Sequence, residues 1–139
     1  NNIKFTIKKR VKRKKMVSFQ KKYVAVSWGV TIIIAIFIFY MSSRTFPSGG
    51  GKGYLSYVYH FTVFFALALF LLLASLKGRF NKEIFILAII LSIVYGIIDE
   101  LHQYFVPGRY ADIHDVFMNA AGILLAGILY SLTLFLRLF

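Results

Sequence analysis

Four long apolar runs within 139 residues constrain this chain more tightly than any motif it carries. They cover about residues 23–42, 55–76, 84–104 and 115–136. Crossing a bilayer core of roughly 30 Å takes about 20 helical residues, and each run is long enough. An open sheet in lipid would leave backbone groups without partners, so the runs read as helices. The expected fold class is therefore all-α, a small polytopic membrane bundle of four transmembrane helices. Composition agrees: 59% of residues are hydrophobic and mean hydropathy is +0.72, too apolar for a soluble domain of this size. No period marks an internal repeat. Without cysteine there is no disulfide framework and no thiolate nucleophile or ligand.

Charge divides the chain into a basic cytoplasmic tail, residues 1–22, and a membrane domain, residues 23–139. Ten of the 17 Lys and Arg residues precede Tyr23, with no acid among them, and supply +10 of the formal net +12. A like-charged run beside a first span reads as a topology determinant resting on anionic lipid, so nucleic acid is not an expected partner. The sequence opens on Asn1, and Met16 is an alternative start, so no function is assigned to residues 1–15. No small-residue cleavage site follows the first run, which argues against a signal peptide. Lys77, Arg79 and Lys82 add a second basic segment between the second and third runs. By the positive-inside rule both basic segments, and both termini, face the cytoplasm. The 44–53 loop and the 99–115 segment are then expected on the outer side.

That topology gathers the polar residues. The stretch "IIDELHQYFVPGRYADIHDVFMN", residues 97–119, holds four of the five acids and two of the three histidines. Asp99, His102 and Gln103 share a helical face by their i, i+3, i+4 spacing, and Gly96 one turn earlier permits close helix approach. Asp112, Asp115, Asn119 and Gly122 form a second stripe, with Asp112 or Asp115 as helix N-cap. Pro107-Gly108 turns the chain between them. His60 lies near the outer end of the second run, and Ser42, Ser43 and Arg44 end the first.

The block "DELHQYFVPGRYADIHDVFMNAAG" resembles the signature of VanZ-like membrane proteins: an acidic pair (Asp99, Glu100), His102-Gln103, Phe105, then Pro107-Gly108-Arg109, Asp115, Asn119 and Gly122. The family's Ser-Ser pair is matched by Ser42 and Ser43, and its second-helix His by His60. An Asp-Lys pair that the family often carries before that His is missing from "YVYH". The resemblance implies a bacterial cytoplasmic-membrane protein linked to resistance to teicoplanin, a glycopeptide with an acyl tail.

Two functions follow as expectations. In one, an outer-leaflet site binds or alters an amphiphile such as a lipoglycopeptide or a lipid-linked cell-wall precursor, through His60, Gln103, Arg109, Asn119, Ser43 and Arg44. In the other, the chain is an enzyme acting on a lipid-linked or phosphate-containing substrate. Asp99, Glu100, His102 and Asp115 then supply acid/base groups or ligands for a metal whose identity stays open, and Arg109 a phosphate contact. No H-E-x-x-H motif occurs, and "GGGKG" lacks P-loop spacing. Against both stands a purely structural plug of paired polar groups at the helix ends. Tyr54, Tyr57 and Tyr59 are expected as interfacial anchors, and His114 as a solvated loop residue. Arg44 has an alternative in snorkelling to headgroups.

Overall fold

The computed structural model describes residues 2–45 and 53–136, with side chains from Met16 onward. Residues 46–52, including most of the expected outer loop, and 137–139, including Arg137, lie outside the described residues, as do the side chains of the basic tail before Met16. Four helices follow in order: α1 (Asn2–Ser42), α2 (Tyr54–Leu76), α3 (Lys82–Phe105) and α4 (Ile113–Leu136). Each contains a stretch long and apolar enough to cross a membrane. The largest departure from the sequence reading is α1, which runs 41 residues because its helix continues through the basic tail; its apolar part is Met16–Ser42.

The helix ends follow local chemistry. Lys77 and Gly78 take positive φ (53° and 75°) and stop α2, and the Arg79 amide donates back to the Leu76 carbonyl at 2.9 Å. Asn81 then caps α3, its side chain accepting from the Ile84 amide at 2.9 Å. After α3, Pro107 and Gly108 occupy the middle of a turn closed by Arg109 N–H to Val106 C=O at 3.1 Å, and Gly108 has φ +80°. Pro then Gly with positive φ is the type II arrangement. Asp112 is the N-cap of α4: its Oδ1 accepts from the His114 amide at 2.9 Å.

Ser42 at the end of α1 meets Asp99 near the end of α3, and Ser56 at the start of α2 meets Asp115 at the start of α4. Consecutive helices therefore alternate in direction, and one end of the bundle collects four helix ends and the 106–112 turn. We call it the acidic end; the 77–81 turn marks the basic end. Helix α2 is central. Its Phe64, Leu67 and Ala68 pack with Ile38, Ile123 and Ala126, and further along Leu72 and Leu76 pack with Ala88 and Tyr130. Helices α2 and α4 approach closely through backbone at Gly122, where an added Cβ would lie 2.3 Å from the Phe61 carbonyl oxygen and 3.0 Å from the Phe65 nitrogen. Lipid tails are as apolar as leucine, so such close packing contributes what hydrophobic burial does in water. The outward faces keep Ile33, Ile36, Leu87, Ile98, Phe117 and Ile128 exposed, as a lipid-facing surface requires.

Candidate functional site

At the acidic end the helices are tied by side chains, and the ties form one continuous path. Ser42 on α1 donates to Asp99 Oδ1. Gln103, one turn beyond Asp99 on α3, donates through Nε2 to Asp99 Oδ2 at 3.1 Å and to Glu100 Oε1 at 3.3 Å. Its own Oε1 accepts from Arg109 Nη2 at 2.8 Å, so the turn after α3 is drawn back over the helix end. Glu100 Oε2 accepts from the Asp112 amide at 3.2 Å, fixing where α4 begins.

The path then crosses to α2. His60 Nδ1 lies 3.0 Å from Asn119 Oδ1 and 3.4 Å from Glu100 Oε1; its Nε2 lies 3.5 Å from Asp115 Oδ2. Ser56, one turn before His60, donates to the same Asp115 oxygen at 3.0 Å. Asn119 Nδ2 reaches the Gly96 carbonyl at 3.5 Å, so α4 touches α3 where α3 has no side chain. An added Cβ on Gly96 would stand 3.2 Å from Asn119 Cβ and 3.3 Å from Phe64.

Burial is nearly complete. His60, Asp99, Glu100, Gln103, Asp115 and Asn119 are each at most 5% exposed. Three carboxylates thus share an interior with one imidazole and the half-buried Arg109. An isolated ionised group at such depth is costly, by several kcal/mol, about the scale on which a whole domain is stable. The cluster persists because every member has partners from another helix.

Not every expected residue joins it. His102 is only half buried and turns to α1, with Nε2 3.0 Å from Ser43 Oγ and its ring stacked on Phe39 at 4.8 Å. Spacing i+3 from Asp99 places it beside the cluster rather than in it, so the expected three-residue face divides into Asp99 and Gln103 inward and His102 at the rim. Ser43 shares that rim. Arg44 is exposed and lies over the Tyr40 ring, 5.5 Å from its centroid, so its described contact is local to α1. His114 is exposed and paired with Asp112 at 2.9 Å. Tyr54 is exposed as an interfacial anchor should be, but Tyr59 turns inward: its ring sits edge-on to His60 at 5.3 Å and its hydroxyl is buried.

Sequence reasoning overlooked Ser56 and undervalued Ser42 and Tyr59. Ser56 had a signal, since it precedes His60 by four residues and so shares its face. Ser42 and Ser43 are neighbours in sequence, and only the rotation of α1 decides which points inward. Two apolar grooves, of about 620 and 570 Å³, lie elsewhere: one between α3 and α4 at Phe85, Ile89 and Ile128, the other near the basic end at Tyr23, Lys77 and Tyr130.

Four apolar helices around a buried acidic cluster define a multi-pass membrane protein whose polar groups are concentrated at one end. The chain belongs to the VanZ/LLP1 family, whose model matches residues 13–136 and so covers the apolar part of α1, the other three helices and the acidic end. No curated protein and no solved structure matches the chain.

Proposed function

We propose that this VanZ-like protein works at the outer face of a bacterial cytoplasmic membrane, where it contributes to resistance to lipid-tailed glycopeptides such as teicoplanin by binding or altering an outer-leaflet target. The observation that carries this reading is the convergence of Asp99, Glu100, Gln103, Arg109, Asp115, Asn119 and His60 on one end of an otherwise apolar bundle. A lipid-linked molecule presents its polar head at that depth and its chain alongside the helices. Arg109, held on Gln103 at the mouth of the cluster, offers a planar fork suited to a phosphate or carboxylate. Membrane lipids, a lipoglycopeptide or a lipid-linked cell-wall precursor are the partners this arrangement fits.

A second reading, a membrane enzyme acting on a lipid-linked or phosphate-containing substrate, draws on His60, whose two ring nitrogens face two different carboxylates, Glu100 and Asp115. Imidazole between acids is equipped to take and pass a proton.

The topology is tested by cysteine labelling in intact cells with a membrane-impermeant maleimide. A cysteine at Ala111 is expected to label and one at Phe80 is not; both positions are exposed. Labelling at Phe80 alone would overturn the outward orientation. The role is tested by expressing the chain in a susceptible host. Protection is expected against teicoplanin and to a smaller extent against a glycopeptide without the acyl tail. Equal protection against both, or none, would overturn the lipid-tail reading.

A further inference from the structure

We propose that the acidic end is a metal site that binds one divalent transition-metal ion, of the Mn²⁺ or Zn²⁺ class, through His60, Asp99 and Glu100. One ligand atom from each of these three residues lies within 4.8 Å of the other two, and all three are buried. The His60–Glu100 separation has the right size. Two ligands each about 2.1 Å from a tetrahedral ion stand about 3.4 Å apart, and about 3.0 Å apart when adjacent on an octahedral one. His60 Nδ1 is 3.4 Å from Glu100 Oε1 and 3.0 Å from Asn119 Oδ1, long for one and ordinary for the other as hydrogen bonds, but both suited to neighbouring ligands on one ion. Asn119 Oδ1 is then a fourth oxygen within reach.

A second, independent observation points the same way. Asp115 is 2% exposed and lies against the same imidazole, yet its Oδ1 is buried without a hydrogen-bond partner among the described residues. A metal-bound histidine characteristically donates its other ring N–H to a carboxylate, which fixes the tautomer and strengthens the ligand. Asp115 Oδ2, 3.5 Å from His60 Nε2, occupies that place, with Ser56 holding it from behind. Asp115 is thus a positioning residue rather than a ligand.

The donor set gives the class: imidazole with carboxylate oxygen suits Mn²⁺ or Zn²⁺, whereas all-oxygen sites suit Mg²⁺ and Ca²⁺. This inference deepens the reading of the acidic end given above, but metal uptake by purified protein stands or falls separately from any change in antibiotic susceptibility.

The test uses the full chain in detergent, stripped with EDTA and then equilibrated with Mn²⁺ or Zn²⁺. About one ion per chain is expected by elemental analysis, with a higher Tm when it is bound. Pulsed EPR of the Mn²⁺ form is expected to show coupling to one nitrogen. Asp99→Asn and Glu100→Gln should each weaken binding at least tenfold, His60→Gln should abolish the nitrogen coupling, and His114→Ala should leave both unchanged. Wild-type protein that takes up no ion would overturn the proposal. So would Mn²⁺ bound without nitrogen coupling, a reading that needs no variant to fold, or coupling that disappears with His114→Ala.

Discussion

The two halves of the bundle answer the same problem, polar groups in an apolar solvent, in opposite ways. Toward the basic end and along the middle, the buried serine and threonine hydroxyls return to their own helices. Ser27 bonds to the Tyr23 carbonyl, Thr31 to Ser27, Ser92 to Ala88 and Thr133 to Tyr130. At the acidic end the bonds run between helices: Ser42 to Asp99, Ser56 to Asp115 and His60 to Asn119. Tyr95 marks the boundary, its hydroxyl crossing from α3 to the Ala35 carbonyl of α1 at 2.7 Å. A self-bonded helix keeps its hydrogen bonds wherever it slides, so the first half constrains the bundle only by shape. The second half fixes rotation, register and depth, because its groups are satisfied in one arrangement alone. That restriction is what a functional constellation needs.

The comparison breaks most visibly at the glycines of α4. At Gly122 a methyl group would collide with α2 backbone, whereas at Gly127 it would meet only the movable ends of Ile89 and Phe85, at 3.2 Å each. Gly122→Ala is expected to cost about 3 kcal/mol or more, the upper range for overpacking, and Gly127→Ala to be neutral or slightly stabilising because alanine is the better helix former. Thermal unfolding of both variants in detergent decides it. Equal Tm values would show that the α2–α4 approach is not set at Gly122.

The next contrast is between partners. His60→Ala strips Glu100, Asp115 and Asn119 of their shared neighbour and is expected to cost about 3 kcal/mol or more, because buried acceptors are left unsatisfied beside a new cavity. Ser92→Ala removes a bond made within one helix and should change stability by no more than about 0.5 kcal/mol. A large loss for Ser92→Ala would erase the distinction between the two halves.

Small stability effects are also expected where the acidic end is proposed to work rather than hold. Arg109→Lys keeps a positive charge but loses the planar guanidinium that bonds Gln103 through Nη2, and Asp115→Asn keeps volume and an acceptor for Ser56. Both should stay within about 1 kcal/mol of wild type, the scale of one hydrogen bond, yet fail to protect cells against teicoplanin. If stability and protection fall together, the acidic end is a structural plug. Full protection by either variant would remove that residue from function.

Much of this was legible in the sequence. The four spans, the Pro107-Gly108 turn, an aspartate cap at Asp112 or Asp115 and the inward stripes through Asp99 and Asp115 all follow from period, length and turn chemistry, which are local properties. His102 and Ser42 were not settled, because i+3 spacing on α3 and adjacency on α1 leave a choice between core and rim. The choice depends on the angle at which α1 crosses α3, and no local pattern encodes it. Tyr59 was read as an anchor for the same reason: an aromatic ring near a helix end serves equally at a lipid interface or against a buried imidazole.

What the sequence determined by itself was the class of object. Apolar length dictates helices across a membrane, the VanZ-like block dictates a family, and the acids, placed at the ends of two adjacent spans, must find partners or water. What only the tertiary structure decided was which partners. His60 comes from α2, about 40 residues before Glu100 on α3, and meets Glu100, Asp115 and Asn119 because Gly122 lets α4 lie against α2 and Gly96 lets Asn119 lie against α3. Helical periodicity fixes which way a side chain faces on its own helix. Whether two such faces touch is set by how closely and at what rotation the helices pack, and that is a property of the assembled bundle.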